Sequence, residues 1–294
     1  MFERRRILGR VKRELKIKGI VTNKIKLIKN QGNKNHIFKA ESNIGPLIIQ
    51  IRKKNYYSDD TDYSCMCEVR KFLEKNNFSV PKIIHCGTNF NVQKFVKGEL
   101  LCDFEDTKKN ELGRIAANLH SIKLSCFGPI TSKNGVLIGK YDSWFEYVKN
   151  RSFKSLRNSY SDEKRFLLEK KLMQFFGSYE NKMSIEHGKF LHGDFHPGNL
   201  IVNDSLVLSD FEMIMSGDPA FEFSAWCEGF IDLETYFRTL KEKVNKKDFL
   251  LKIKLYSLVR YLWAVSAMQN DSGRIAEMQT SKKKFETLLL ELTK

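Results

Sequence analysis

One segment of the sequence, FLHGDFHPGNLIVNDSLVLSDFE at positions 190–212, restricts the possible fold more than any other. It contains two short apolar runs, LIV and LVL, on either side of the turn-forming residues NDS. This pattern predicts a β-hairpin over residues 200–202 and 206–209. Carboxylates, histidines and an amide surround the hairpin. Polar groups beside a core cost free energy unless something uses them, so the segment predicts a functional site.

The two outer ends of such a hairpin lie side by side, which predicts that the side chains of Asn199 and Asp210 converge. An amide oxygen and a carboxylate are hard ligands that suit Mg²⁺. Asp194 precedes Asn199 on the same loop, where it can act as a base that orients an acceptor hydroxyl. Phosphoryl transfer from ATP requires this combination of groups.

The motifs HGDFHPGN, DFE and GDPAFEF, in that order, resemble the aminoglycoside phosphotransferase and choline kinase-like family. The resemblance is dense over residues 190–226, and the order of elements fits nearly the whole chain. It implies a protein-kinase-like fold, with ATP (or GTP) and Mg²⁺ as cofactors. It also implies that Asp194 is the catalytic base and that Asn199 and Asp210 are the Mg²⁺ ligands.

Other residues of these motifs receive weaker assignments. Gly193 replaces the arginine with which protein kinases sense activation-loop phosphate, so control of that kind is not expected. His192 is expected to order the loop, and His196 is given no catalytic role. Asp218, followed by a proline, has the chemistry of a helix N-cap, and the family resemblance adds that it could brace the catalytic loop.

The layout of the chain predicts an α+β fold. Strand-like runs occupy much of residues 1–97, namely KIKLIK, HIFKAES, PLIIQIRK, KIIHCG and FNVQKFVKG. Helical periodicity dominates residues 98–294. We therefore expect a bilobal protein-kinase-like fold, with a small antiparallel β-sheet lobe that binds nucleotide (1–97, including the hinge) and a larger, mostly helical lobe (98–294) for catalysis and substrate.

Several residues of the first lobe are candidates for nucleotide binding. Gly32 and Asn35 lie between two predicted strands, where a loop covers the phosphates in such kinases. Glu68 resembles the helix glutamate that pairs with a basic strand residue. Residues 93–97 resemble the hinge whose backbone holds adenine, with Gln93, Phe95 and Val96 as contacts.

The basic strand residue is where the sequence departs from the family. Gln50 occupies the aligned position, and a glutamine carries no charge. Arg52 lies two residues further, on the same strand face, and could substitute for the missing cation with a longer reach, so whether Gln50 or Arg52 contacts phosphate stays open. A degenerate kinase therefore remains an alternative.

Residues 212–237 contain six acids and no Lys or Arg, which is unusual in a chain with a net charge of +16. Glu228 and Asp232 are spaced to share a helix face. Acids beside aromatic side chains suit an amine-bearing substrate, although a solvated acidic face over core aromatics would show the same pattern. The expected substrate contacts are Asp194, Glu222, Trp226, Glu228, Asp232 and Trp263.

Charge and cysteine content place limits on partners and compartment. Most of the positive excess lies in residues 1–54, which hold 16 Lys or Arg against three acids, yet no nucleic-acid motif accompanies it. We expect no nucleic-acid partner and no membrane association, and the oligomeric state stays open. No signal peptide is recognised, and six scattered cysteines without a C-x-x-C pair favour reduced thiols and a cytoplasmic location.

Together these features predict an ATP- and Mg²⁺-dependent phosphotransferase that acts on a hydroxyl of a small, amine-bearing molecule. The family resemblance includes antibiotic inactivation, as by aminoglycoside kinases, among the roles that it allows. Two alternatives remain. One is a metabolic kinase of the choline, thiamine or sugar type. The other is a nucleotide-binding pseudokinase that regulates a partner.

Overall fold

The computed structural model of the protein describes residues 2–28, 35–53, 63–101, 106–225, 229–269 and 271–294. The chain divides into two compact units. The first unit comprises residues 1–103, 131–137 and 197–214, and the second comprises 104–130, 138–196 and 215–294. The predicted metal-binding hairpin thus belongs to the same unit as the N-terminal sheet, because residues 197–214 return to it.

The described elements alternate between strands and helices in the first third of the chain and become mainly helical later. In chain order they are α1 (Phe2–Ile17), β1 (Thr22–Leu27), β2 (Asn35–Ser42), β3 (Leu47–Arg52), α2 (Tyr63–Lys75), β4 (Ile83–Gly87), β5 (Phe90–Lys94), β6 (Glu99–Leu100), α3 (Asp106–His120), β7 (Lys123–Leu124), β8 (Phe127–Lys133), β9 (Val136–Tyr141), α4 (Trp144–Ser159), α5 (Asp162–Met183), β10 (Gly188–Leu191), β11 (Leu200–Val202), β12 (Leu206–Leu208), β13 (Met215–Gly217), α6 (Pro219–Glu222), α7 (Leu233–Thr239), α8 (Lys246–Met268) and α9 (Ile275–Leu292).

The first unit is built on an antiparallel sheet with the strand order β1-β2-β3-β5-β4. All five strands predicted from the sequence are present. Because strand side chains alternate between faces, Leu47, Ile49 and Ile51 of β3 point into a core shared with Val11 and Leu15 of α1. The opposite face of β3 therefore carries Ile48, Gln50 and Arg52.

Helix α2 contacts both β4 and β5. A disulfide joins Cys67 of α2 to Cys86 of β4, with Cα atoms 6.5 Å apart. The expectation of reduced thiols is wrong for this pair, because packing of the helix against the strand brings together two cysteines that lie 19 residues apart in the sequence. Of the described cysteines, Cys65 and Cys126 are free thiols.

A small second sheet in the first unit has the order β12-β11-β6. The predicted hairpin is confirmed, since β11 and β12 pair from Leu200 opposite Leu208 to Val202 opposite Leu206. The backbone N–H of Leu208 also donates to the carbonyl oxygen of Ser79, which lies just before β4, at 2.9 Å. These contacts fix the hairpin to the N-terminal part of the unit.

The second unit is mainly helical, with α8 packed against α4, α6 and α9. Its interior is rich in aromatic side chains such as Trp144, Phe221 and Tyr256, whose rings contact one another. Strands β10 and β13 pair antiparallel within this unit. No helix in the described part of the chain combines the length and apolar character that crossing a membrane requires.

Candidate active site

The ends of the β11–β12 hairpin are held together through the backbone of Asn199. Ser209 donates both its backbone N–H and its Oγ–H to the carbonyl oxygen of Asn199, each at 2.9 Å. Asp210 follows in the left-handed conformation, with φ 57° and ψ 72°. That conformation is uncommon for a residue other than glycine and is often found at functional sites. The fold therefore gives Asp210 a defined position directly after the hairpin.

The donor chemistry of these two residues fits Mg²⁺. This ion prefers hard oxygen ligands and is usually bound by one or two protein groups together with phosphate oxygens and water. Asn199 offers an amide oxygen and Asp210 a carboxylate. No cluster of three or more His, Cys, Asp or Glu side chains suited to a metal occurs among the described residues.

Asn35, at the start of β2, donates its side-chain amide to the carboxylate of Glu212. Both residues are buried. The first strand after the predicted phosphate loop is thereby joined to the segment that follows Asp210. The role predicted for Asn35 at the phosphates stays a prediction, and Glu212 is a partner that the sequence did not reveal. Gly32 lies outside the described residues.

Two expectations about α2 and β3 need correction. Glu68 is exposed, because the buried positions of α2 are Cys65, Met66, Cys67, Val69, Arg70 and Leu73. It therefore does not face the sheet as a helix glutamate would. Gln50 is buried, and its Oε1 accepts a hydrogen bond from Nδ2 of Asn91 at 2.8 Å. The strand position aligned with the basic residue is occupied by a paired amide.

Arg70 is the buried cation on α2, and the sequence did not single it out. Its Nη1 donates to Oε1 of Gln93 on β5, and its guanidinium carbon lies 5.4 Å from the centroid of the Phe211 ring. Gln93 was expected at the hinge. It lies instead within the sheet, paired with Ile48 on one side and Ile83 on the other.

The remaining predicted hinge residues follow β5. The backbone N–H of Phe95 donates to the carbonyl oxygen of Pro46 at 3.0 Å, so this group is already hydrogen-bonded within the sheet. Val96 lies after the strand and is half-buried. Its contact with adenine stays a prediction. Arg52, at the end of β3, is also half-buried and stays a candidate for phosphate contact.

The second unit contains Asp194, the predicted base, within residues 192–196, here called the 192–196 loop. Burial works to raise the pKa of Asp194. The hydrogen bond and charge of His196 and the charges of Arg260 and His192 outweigh burial and hold the pKa below its ordinary value. Nε2 of His196 lies 3.6 Å from Oδ2 of Asp194. The carboxylate is thus ionised at neutral pH and still 29% exposed, as a base needs to be.

Two buried charges fix the backbone of the 192–196 loop. The carboxylate of Glu222 accepts the backbone N–H groups of His192 and Gly193 at 2.6 and 2.9 Å. Nη2 of Arg260, on α8, donates to the carbonyl oxygen of Gly193 at 3.1 Å. Gly193 has a φ of 79°, which explains a glycine at this position. The loop is therefore held on both sides of Gly193.

Glu222 was expected to contact substrate, and the structure corrects this. Its side chain is fully buried and is occupied by the 192–196 loop. Burial works to raise its pKa, but His120, His192 and Arg260 hold the pKa below its usual value. Nε2 of His120 lies 3.8 Å from the carboxylate. Glu222 is thus a buried structural anion that fixes the backbone of the loop carrying Asp194.

Asp218 caps helix α6, as its sequence context predicted. Its Oδ1 accepts the backbone N–H of Ala220 at 3.0 Å. Its Oδ2 is 2.7 Å from Nζ of Lys252 and accepts the hydroxyl of Tyr256 at 3.1 Å. These contacts join α6 to α8. The 192–196 loop, which Asp218 was expected to brace, is held by Glu222 and Arg260.

The expected cluster of acids and aromatics for an amine is not formed by its described members. Asp232 is the N-cap of α7, and the hydrogen bond from Thr235 lowers its pKa. It therefore does not continue a helix from Glu228. Trp263 is buried in the core, with its indole N–H 3.2 Å from Oγ of Ser152. Trp226 and Glu228 lie outside the described residues.

Comparison with known proteins places this geometry in a family. A family model described as the phosphotransferase enzyme family matches residues 25–239, well over half of the chain. The chain belongs to the phosphotransferase enzyme family. This phosphotransferase is a small-molecule kinase with a protein-kinase-like fold, so the prediction from residues 190–226 is confirmed at that level. No curated protein sequence matches the chain.

Solved structures show the same fold at low identity. A crystal structure from Haemophilus somnus 129PT, provisionally described as a fructosamine-3-kinase, is 16% identical, with a TM-score of 0.71 over 95% of each chain. A thermostable mutant of aminoglycoside phosphotransferase APH(4)-Ia, in ternary complex with AMP-PNP and hygromycin B, is 13% identical, with a TM-score of 0.65 over 92% of this phosphotransferase and 94% of that chain. ADP-bound aminoglycoside phosphotransferase APH(2'')-Ib is 19% identical, with a TM-score of 0.59 over 94% and 95%.

Proposed function

We propose that this kinase transfers the γ-phosphoryl group of ATP to a hydroxyl of a small amine-bearing molecule. In this proposal Asp194 is the base, and Asn199 and Asp210 hold Mg²⁺. The observation that carries it is the ionised Asp194 on a loop whose backbone is fixed by Glu222 and Arg260. A base kept charged and in a fixed position is what the orientation of an acceptor hydroxyl requires.

The reaction follows from these roles. The Asp194 carboxylate accepts a hydrogen bond from the acceptor hydroxyl and receives its proton as the hydroxyl oxygen forms a bond to the γ-phosphorus. The bond between the γ-phosphorus and the β–γ bridging oxygen breaks, and its electron pair leaves with ADP. Bound Mg²⁺ would supply neutralisation of phosphate charge.

The amine-bearing substrate is supported by the neighbours and not by the acids predicted for it. One structural neighbour is provisionally described as a fructosamine-3-kinase and another holds hygromycin B, and both names denote compounds that carry amines. Among residues 212–237, which contain no Lys or Arg, the described acids make contacts within the protein. Glu222 and Asp218 serve the fold, and Glu234 pairs with Lys246 at 2.9 Å.

The acceptor assay measures ADP release with ATP and Mg²⁺ present. Its acceptors comprise a fructosamine, aminoglycosides including hygromycin B, choline and thiamine, and neutral sugars of matched size form the comparison set. Turnover with an amine-bearing acceptor that exceeds turnover with the neutral sugars supports the proposal. A neutral or anionic acceptor that is used better than any amine would contradict the substrate class while leaving the kinase assignment intact.

The first prediction concerns Asp194→Asn. Removal of the base should lower kcat by about 100- to 10,000-fold, while ATP affinity by calorimetry stays within about twofold of the wild type. Asp204→Asn is the matched control, because Asp204 is an exposed aspartate in the hairpin turn. Wild-type turnover in Asp194→Asn would overturn the assignment of the base.

The pseudokinase alternative is favoured by one observation, the uncharged Gln50 at the aligned strand position. It requires that the wild-type protein bind ATP without releasing ADP in the presence of any acceptor in the set. It also requires that Asp194→Asn change neither binding nor turnover. Both outcomes can be obtained from the same two assays.

A further inference from the structure

The strand that should carry a cation in a kinase carries an amide here. In protein kinases a strand lysine contacts the nucleotide phosphates and pairs with a helix glutamate. In this chain Gln50 stands on the strand, and Asn91 donates to its Oε1 at 2.8 Å. Asn91 is fully buried and Gln50 nearly so. The strand therefore presents paired amides instead of a positive charge.

Helix α2 also departs from the kinase pattern, because its buried charged residue is a cation and not an acid. Its acid, Glu68, is exposed, whereas Arg70 is only 2% exposed. Nη1 of Arg70 donates to Oε1 of Gln93. Gln93 lies two residues from Asn91 on β5, and Asn91 is directly opposite Gln50. Because residues two apart on a strand share a face, Arg70 meets the sheet on the same face as Gln50.

Arg70 also lies beside the proposed metal ligand. Its guanidinium carbon is 5.4 Å from the centroid of the Phe211 ring, and Phe211 directly follows Asp210 in the chain. An arginine over an aromatic face is attracted to the ring and held in orientation by it. All these residues belong to the first unit. The fold thus places a buried cation next to the segment proposed to hold Mg²⁺.

We propose that Arg70 supplies from helix α2 the positive charge that a strand lysine supplies in other kinases. The cation would then lie on the helix, and the strand would carry a neutral amide in its place. The amide oxygen of Gln93, which carries no net charge, is one acceptor of the guanidinium and helps to orient it. Five N–H donors in a planar fork allow arginine to bond an amide oxygen and a phosphate at once. This inference rests on the proposed ATP-dependent function, and it names Arg70 in place of the Arg52 that the sequence suggested.

The test measures binding of ATP, ADP and adenosine by calorimetry without Mg²⁺, so that neither the metal nor turnover enters the result. Arg70→Met should weaken ATP and ADP binding by about 10- to 100-fold, as expected for loss of a charge-assisted hydrogen bond. Adenosine affinity should stay within about twofold. Lys71→Met is the matched control, because Lys71 is an exposed cation on the same helix and its removal should change none of the three affinities.

Each other outcome has a defined meaning. Equal loss of adenosine and ATP affinity in Arg70→Met would show a structural role only and overturn the inference. Unchanged ATP affinity in Arg70→Met, with a loss in Arg52→Met, would overturn it in favour of Arg52. If Arg70→Met does not fold, Arg70→Gln decides. It removes the charge but keeps an amide that can pair with Gln93, so ATP affinity should fall about tenfold with adenosine unchanged, and no selective loss would overturn the inference.

The same experiment separates this inference from the proposed function. Wild-type protein that binds no ATP, with or without Mg²⁺, would contradict the proposed function itself. Equal ATP affinity in the wild type and in Arg70→Met would contradict only the role of Arg70.

Discussion

At the residue scale, the three charged groups that hold the pKa of Asp194 down come from its own unit. Burial opposes its ionisation, and His196, Arg260 and His192 together overcome that cost. Because the pKa in the folded protein lies below the unfolded value of about 3.9, the ionised carboxylate stabilises the fold above that pH. This contribution is lost as the pH falls through the folded pKa. The base is therefore charged over the whole neutral range.

The second prediction follows from this balance. His196→Gln removes a hydrogen bond and a charge from Asp194, so its pKa should rise toward the ordinary value. The acid limb of the pH profile of kcat/KM should move to higher pH. His187→Gln is the control, because His187 is an exposed histidine outside the loop, and it should leave the profile unchanged.

An acid limb that does not move in His196→Gln would contradict the prediction. In that case the charges of Arg260 and His192 alone would hold Asp194 ionised. A basic limb that moves would point to a different titrating group and not to Asp194.

At the element scale, helix α2 shows what periodicity predicts and what it does not. The spacing of Met66, Val69, Phe72 and Leu73 predicts the helix. Met66, Val69 and Leu73 are buried as expected, whereas Phe72 is only half-buried. Glu68 was singled out by the family resemblance, and the structure places it on the exposed face of this helix. Arg70 is buried because Gln93 accepts its hydrogen bond. The sequence cannot show this, since the acceptor lies on a strand 23 residues later.

The third prediction concerns the disulfide between α2 and β4. For a sequence separation of 19 residues, closing the loop should stabilise the fold by roughly 3 kcal/mol through its effect on the unfolded chain. Urea unfolding of the wild type with and without a reductant measures this difference. The Cys67→Ser/Cys86→Ser variant should be insensitive to reductant, whereas Cys126→Ser, which alters a free thiol, should keep the wild-type response. Equal stability of the wild type in both conditions would contradict a persistent bond.

At the scale of the whole molecule, the sequence predicts local patterns well and long-range pairings poorly. The five strands of the first sheet and the β11–β12 hairpin follow from alternation and turn residues. Strands β6, β7, β10 and β13 were missed, because they are two to four residues long and pair with distant parts of the chain. Strands β8 and β9, of seven and six residues, were missed as well, although the turn signal Asn134-Gly135 lies between them.

The candidate site shows the same division. The loop and hairpin residues could be predicted as one site because they are close in sequence. Arg260 and the role of Glu222 were missed because their partners are distant. One signal for Arg260 was present, a cation within the apolar run YSLVRYLW, since a charge in such a run is rarely buried without a specific partner.

The last prediction uses the division of the chain into two units. Asp210 belongs to the first unit with Gln50 and Arg70, whereas Asp194, Glu222 and Arg260 belong to the second. Asp210→Asn should therefore abolish the gain in nucleotide affinity that Mg²⁺ gives. Glu222→Gln should keep that gain but lower kcat by about 100-fold, because a small displacement of a catalytic group is costly.

Calorimetry with and without Mg²⁺, paired with ADP release, measures both effects in each variant. Glu234→Gln is the control in the second unit, because Glu234 is exposed and pairs with the surface lysine Lys246. It should change neither quantity. A loss of Mg²⁺-dependent nucleotide affinity in Glu222→Gln equal to that in Asp210→Asn would show that the two functions are not divided between the units. The position of the 192–196 loop would then matter for binding as well as for transfer, and Glu222 would have to be regarded as part of the nucleotide site.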